Sequence, residues 1–341
     1  MASIDQYQGC LLGTAVGDSV LLPAEGLSRR RIVARFPGPV RHRLLGHWGM
    51  ISDDTEHTFL TGQALLEAGD DPDRFARALA RRLRWWLLSL PGGCGMATAR
   101  GLLRSWLGIS PARSGVWSAG NGPAMRSALL GVRWSHNDSR RRAFVRASTL
   151  ITHRDPQAEI AAQAVADTAA WIVRGEPLEH LWAAWRSPQA DTAWARLVTI
   201  MEDHHHRGAS VDEVATALGC PEFVSGYAYH SVPIALYAWL RHRHDPRGCL
   251  SAILACGGDT DTIGAMAGAL LGVEGGPKGL PQDIVEGILE WPLAPTCLRD
   301  LGTRLGSNDL RLVRWRWMFQ PLRNVVFLFV VLGHGFRRLI P

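Results

Sequence analysis

The chain has 341 residues, 47% of them hydrophobic and 20% charged, which is ample for a large buried core, and no linker or low-complexity tract interrupts it. A net charge of +6 suits an anionic ligand such as a pyrophosphate. The arginines are scattered or in short clusters such as Arg29–Arg31 and Arg140–Arg142, and no zinc-finger, homeodomain or RNP signature accompanies them, which leaves nucleic acid as a minor alternative partner. Six cysteines at irregular positions, without a CxxC pair, read as reduced and mostly buried thiols. The N-terminus, MASIDQYQGC, lacks a basic region followed by an apolar stretch, so the expected location is the cytoplasm.

Apolar positions at i, i+3 and i+4 predict helices over 7–22, 53–69, 72–90, 97–107, 122–132, 140–151, 156–174, 177–186, 189–202, 211–218, 227–242, 247–255 and 261–272. Connections are short and marked by Pro, Gly and Asp, as at Pro91-Gly92-Gly93. No strand-period segment is long enough to build a sheet, so the expected fold is all-α, one compact helical domain without a sheet. The fourteen tryptophans are expected mainly in packing between helices, with one or two near a pocket free to stack on a base or ribose.

Two glycine stripes carry the first long-range inference. Gly9, Gly13 and Gly17 recur at i+4 near the N-terminus, as do Gly264, Gly268 and Gly272 far downstream. Each interior glycine costs a helix about 1 kcal/mol relative to alanine, which makes sense only where backbones approach closely. The two helices are therefore expected to pack in the core, bringing Asp18 and Glu25 towards Asp259 and Asp261.

Those acids sit in two clusters. Ser52-Asp53-Asp54-Thr55 precedes an apolar-periodic run and, alone, reads as a capped helix N-terminus. Gly257-Gly258-Asp259-Thr260-Asp261-Thr262 puts two carboxylates and two hydroxyls behind a Gly-Gly turn at a second helix start. Capping needs one or two oxygens, whereas hard cations such as Mg²⁺ want several, so the two starts together suggest a dinuclear site.

With Gly17-Asp18-(x)6-Glu25, Gly120-Asn121-Gly122-(x)2-Met125-Arg126 and Thr152-His153-Arg154-Asp155-Pro156 added in order, the chain resembles the ADP-ribosylglycohydrolase family, the relatives of dinitrogenase-reductase-activating glycohydrolase. The resemblance implies an orthogonal all-α bundle over 1–341, with a motif-bearing core of about 8–275 and a C-terminal helical extension, 276–341. It implies two Mg²⁺, or Mn²⁺ in their place, on Ser52, Asp53, Asp54, Asp259, Asp261 and Thr262. Glu25 would sit on a flexible loop beside the scissile bond, in a proton-handling or gating role, with Asp54 or Asp261 positioning water. Gly92, Gly93 and Gly95, with Ser118, Ala119, Gly120 and Asn121, would wrap the diphosphate and ribose, and His153 would meet the ADP-ribose. The implied reaction is hydrolysis of the bond from C1″ of ADP-ribose to an acceptor, with arginine on a protein favoured over serine or a small-molecule conjugate. A pyrophosphate hydrolase and a non-catalytic ADP-ribose binder are the rivals. The chain departs from the family at Ser19–Leu22, where a small Gly-containing run is common, and at Cys256.

Other signals weigh less. Asp203-His204-His205-His206 reads as a solvated loop, and Tyr227, Tyr229 and His230 as core or pocket-entrance aromatics. Val325–Leu332 is too short a run to span a bilayer and is expected as a buried helix segment, with peripheral attachment to an anionic surface as the minor alternative.

Overall fold

Ser3 starts the first helix with a capping box: its hydroxyl accepts from the Gln6 amide at 3.2 Å, and the Gln6 side chain accepts from the Ser3 amide at 2.9 Å. In the computed structural model, which describes residues 2–187 and 191–337, the chain then runs through α1 (Ile4–Leu21), α2 (Arg29–Arg35), α3 (Asp53–Ala68), α4 (Pro72–Leu88), α5 (Met96–Trp106) and α6 (Pro111–Ser114). It continues through α7 (Ala128–Arg133), α8 (Asp138–Leu150), α9 (Pro156–Arg174), α10 (Leu178–Trp185), α11 (Thr192–His206) and α12 (Val211–Ala217). The last third holds α13 (Ala228–Arg241), α14 (Pro246–Cys256), α15 (Thr260–Gly279), α16 (Gln282–Glu286), α17 (Pro295–Ser307) and α18 (Gln320–Arg337). Among the described residues there are isolated bridges but no strand, and the fold is all-α.

The centre is the pair α1 and α15. Both are buried nearly all round, so neither has the one-sided apolar stripe of a surface helix. Their glycine stripes face each other as the spacing demands: Gly9 meets Gly272, Gly13 meets Gly268 and Gly17 meets Gly264. A Cβ at Gly13 would lie 2.8 Å from the carbonyl carbon of Gly268, and one at Gly268 would lie 3.1 Å from that of Gly13. Side chains from α3, α7, α9, α13 and α17 close one continuous apolar core around the pair. Trp185, Trp194 and Trp239 are among the largest fully buried side chains. None of the six cysteines is paired, and four are buried.

Several boundaries differ from the periodicity, each with a local cause. The span 122–132 is broken: a 3-10 turn at Ala124–Arg126 precedes α7. There the buried Arg126 guanidinium takes the Gly122 carbonyl at 2.9 Å and the Ser148 carbonyl at 3.0 Å, and the Ser127 hydroxyl takes the Pro123 carbonyl at 2.8 Å. α15 runs past 272 to a kink at Gly276, where φ is +63°. The span 189–202 starts at Thr192, capped by Asp191, and residues 189–190 lie outside those described. The His204–His206 run is the last turn of α11, not a loop, with His204 bonded to the Ile200 carbonyl and His205 against Trp182.

The C-terminal expectation fails. α18 is a regular helix, but Val325, Val326, Leu328, Phe329, Val331 and Leu332 are exposed, and its buried side chains include Gln320, Arg323 and Asn324. Arg323 pairs with Glu290 at 2.6 Å and donates to the Ile51 carbonyl at 2.5 Å. Gln320 bonds Glu56, and Asn324 donates to the Ser89 carbonyl at 2.9 Å. Long-range polar partners orient this helix, and they overrule the burial that its hydropathy alone predicts.

Candidate active site

Both acidic clusters are helix starts, and a third acid joins them to the central pair. Ser52 caps α3, its hydroxyl accepting from the Asp54 amide at 3.3 Å. Asp18, fully buried near the end of α1, accepts from the Ser52 amide at 2.9 Å, the Thr55 amide at 3.2 Å and the Thr55 hydroxyl at 2.5 Å. Asp18 thus holds the α3 start from below. Asp54 accepts from Ser52 Oγ at 3.3 Å and from Thr262 Oγ1 at 3.2 Å, linking the two helix starts directly.

The start of α15 depends on two left-handed residues. Gly257 and Gly258 have φ of +71° and +88°, and a Cβ at Gly258 would collide with the Val224 backbone. The turn is stitched on both sides: Gly26 N donates to the Gly258 carbonyl at 2.9 Å, and Asp259 N to the Val224 carbonyl at 2.8 Å. Thr260 Oγ1 donates to the Leu21 carbonyl at 3.1 Å, tying the turn to α1. These bonds bring Glu25 beside the cluster: one carboxylate oxygen each from Glu25, Asp259 and Asp261 lie within 4.8 Å of one another. Asn121 Nδ2 holds Asp259 at 2.5 Å.

The electrostatics are those of crowded, buried carboxylates. Burial pushes the carboxyls of Asp53, Asp54 and Asp261 well above their ordinary range, and the neighbouring carboxylates push them further. Asp18 is raised to about 6 by burial, against its hydrogen bonds from Thr55 and Ser52. Oδ1 of Asp54 and Oδ1 of Asp261 are buried with no hydrogen-bond partner. Orphaned, mutually repelling carboxylate oxygens next to hydroxyls form a donor set that fits a hard divalent cation.

A cleft of about 570 Å³ opens above this floor. Of the residues singled out from sequence, Glu25, Ser52, Asp53, Asp259, Asp261, Thr262, Gly92, Gly93, Gly95, Ser118, Gly120, Asn121 and His153 all line it. Asp54 lies just beneath, behind Ser52 and Thr262. Gly93 has φ of +86°, and a Cβ there would stand 3.5 Å from Asp53. His153 packs under Gly120 and Gly122, where a Cβ would meet its ring at 3.0 and 3.1 Å. Its Nδ1 bonds Thr152 at 2.9 Å, and burial lowers its pKa to about 3, so the imidazole is neutral at physiological pH.

The lining also contains residues that sequence reasoning missed: Met96, Thr98, Phe223 and, from α18, Phe327, Leu328 and Val331. Apolar side chains in loops and in a distant helix carry no local signal of a site. The aromatic in the lining near the α13 end is Phe223, not Tyr227 or Tyr229, and among the described residues no tryptophan lines the cleft. Tyr229 stacks on Trp194, and Tyr227 bonds Gln157 at 2.8 Å.

An all-α fold presents carboxylates from paired helix starts to a glycine-walled cleft. The ADP-ribosylglycohydrolase family model matches residues 1–312, and the chain belongs to that family, whose members are hydrolases acting on glycosidic bonds. It is 27% identical over 289 residues to the ADP-ribosyl-[dinitrogen reductase] glycohydrolase of Rhodospirillum rubrum, covering 82% of this chain and 88% of that protein. It is 29% identical to the ADP-ribosylarginine hydrolase Tri1 of Pseudomonas putida (strain GB-1), covering 83% and 74%, and 28% identical to the ADP-ribosylhydrolase ARH3 of Mus musculus, covering 82% and 86%. A solved ADP-ribosylglycohydrolase-related protein complex superposes with a TM-score of 0.69 at 28% identity, over 89% of this chain and 98% of that one.

Proposed function

We propose that this protein hydrolyses the bond between C1″ of ADP-ribose and an acceptor, with an ADP-ribosylated arginine side chain on a protein as substrate. The observation that carries the reading is the convergence of Asp53, Asp54, Asp259 and Asp261 from two helix starts beneath a glycine-lined cleft, with Asp54 Oδ1 and Asp261 Oδ1 unpartnered. Ser52, Asp53, Asp54, Asp259, Asp261 and Thr262 would hold two Mg²⁺, with Mn²⁺ able to substitute. When bound, the metal supplies Lewis-acid polarisation and a template for the distal ribose hydroxyls.

The chain's own groups do the rest. Gly92, Gly93, Gly95 and Ser118–Asn121 offer backbone N–H groups to the diphosphate without side-chain obstruction. His153, held neutral, supports the ribose as a hydrogen-bonding partner. Glycoside cleavage passes through an oxocarbenium-like state, and carboxylates beside C1″ stabilise the developing positive charge. Asp54 or Asp261 orients the attacking water, and Glu25, at the exposed rim, takes or returns a proton at the leaving group. The acidic rim also suits a cationic guanidinium, and two of the relatives above are named for ADP-ribosyl-arginine or ADP-ribosyl-protein hydrolysis.

Free ADP-ribose released from ADP-ribosyl-arginine and ADP-ribosyl-serine peptides, with Mg²⁺ and with EDTA, tests this. Metal-dependent release from the arginine peptide supports it. Release from serine alone reassigns the acceptor, AMP with ribose phosphate reassigns the bond, and binding without turnover sinks the catalytic reading.

A further inference from the structure

α18 is inverted. Its polar side chains Gln320, Arg323 and Asn324 are buried against the protein, and His334 bonds the Pro23 carbonyl at 3.2 Å. Every exposed residue it presents between positions 321 and 336 is apolar: Pro, Leu, Val, Phe or Gly. Because the Arg323–Glu290 pair and the Asn324–Ser89 bonds hold the helix from within, it cannot roll to hide that face. Water-facing helix surfaces are ordinarily polar, so this one is built to be covered.

The apolar area continues beyond the helix. Trp317 is 55% exposed and lies 6.5 Å, ring to ring, from Trp85, itself 54% exposed. Phe319 and Trp291, both exposed, stand 5.2 Å apart. Residues 310–341 contain six arginines and no aspartate or glutamate; Arg323 is buried against Glu290 and Arg311 is paired with Asp309, which leaves Arg314 and Arg316, among the described residues, as the exposed cations beside the face. Arg311, Arg314 and Arg316 are exposed just ahead of the helix.

We propose that this face docks on an anionic lipid surface, with α18 lying in the headgroup plane, its exposed side in the acyl boundary and the tryptophans at the interface. An apolar helix face, flanking arginines and interfacial tryptophan are the features such binding requires. Trp317–Phe336 is long and apolar enough to cross a bilayer by length and composition, but the polar side chains that fasten it to the domain keep it on the protein surface. A second copy of the chain fits worse, since an isologous contact through this face would bring two copies of Arg314 and Arg316 to one interface with no carboxylate from residues 310–341 to pair them. Phe327, Leu328 and Val331 also line the cleft, so docking sets one wall of the site beside the lipid, while the attraction to anionic headgroups comes from Arg314 and Arg316, outside that acidic cleft.

Co-sedimentation of the full chain with vesicles tests the proposal, using phosphatidylcholine alone and phosphatidylcholine mixed with phosphatidylglycerol. The wild type pellets with the anionic vesicles, and high salt weakens this. Neutralising Arg314→Gln or Arg316→Gln lowers partitioning about fivefold each. Val326→Glu with Phe329→Glu, two residues outside the cleft lining, lowers it by at least about tenfold while the thermal melt stays unchanged. Wild-type protein left in the supernatant with anionic vesicles, or equal binding to both lipids, overturns it. So does a lipid-free dimer in sedimentation velocity that the glutamate pair dissolves, which would assign the face to a second copy.

Discussion

The tightest quantitative test lies in the central helix pair, at Gly13→Ala. Helix propensity alone favours the change by about 1 kcal/mol. The structure predicts the reverse, because the added methyl lies 2.8 Å from the Gly268 carbonyl carbon and closer still to its oxygen. Both neighbours are backbone, so no side chain can turn aside. Relief requires α1 and α15 to part by on the order of 1 Å, and a gap of that size forfeits about half of each dispersion contact along the seam. Overpacking of this kind costs about 1–3 kcal/mol in ordinary cores, and a backbone-to-backbone seam belongs at the upper end. The net expectation is a loss of about 2 kcal/mol, read as a lower urea midpoint by circular dichroism at unchanged slope. Gly275→Ala is the control: it sits near the end of the partner helix α15 with nothing within 4 Å, so its midpoint should hold or rise. A Gly13→Ala midpoint equal to or above the wild type would refute the close approach.

Other outcomes follow from the site and its supports. The raised carboxyls of Asp18, Asp53, Asp54 and Asp261 contribute stability that is full below the unfolded pKa, near 4, and lost as pH rises through their folded values. The metal-free protein therefore weakens with rising pH from this source, and the stabilisation by Mg²⁺ grows with pH, reaching about 2.7 kcal/mol at a hundredfold excess over Kd. Buried His153, lowered to about 3, tilts the slope the other way between pH 3 and 6.5, but it cancels in the difference between melts with and without Mg²⁺. A difference that shrinks as pH rises would contradict the cation assignment. Asn121→Ala frees the Asp259 carboxylate and should weaken Mg²⁺ binding about 10- to 100-fold by titration calorimetry, with the urea midpoint little changed. Arg323→Met strands Glu290 and Glu56 in a buried setting and should cost about 3–5 kcal/mol in urea unfolding, part of which Glu290→Gln restores in the double variant.

Sequence alone carried the helical class, the glycine-paired core and most of the site floor, because each is written in short-range spacing. Gly9, Gly13 and Gly17 announce close packing wherever they fall, and Ser52-Asp53-Asp54 and Asp259-Thr260-Asp261-Thr262 hold more oxygens than a cap needs. Order along the chain then led from these pieces to Gly93, Asn121 and His153, all of which the fold brings to one cleft. Tertiary structure decided what periodicity cannot see. Asp18 belongs to the motif, but only its three bonds to the Ser52–Thr55 start make it a clamp beneath the floor. Phe223 and Phe327 reach the cleft from segments with no chemical signature. The orientation of α18 was least legible, since hydropathy predicts an apolar helix buried on its apolar side. Here Arg323, Gln320 and Asn324 find partners on Glu290, Glu56 and Ser89, between about 30 and 260 residues away in the chain, and those contacts turn the apolar face outward. Local pattern determines what a segment can form, and distant partners determine which way it faces.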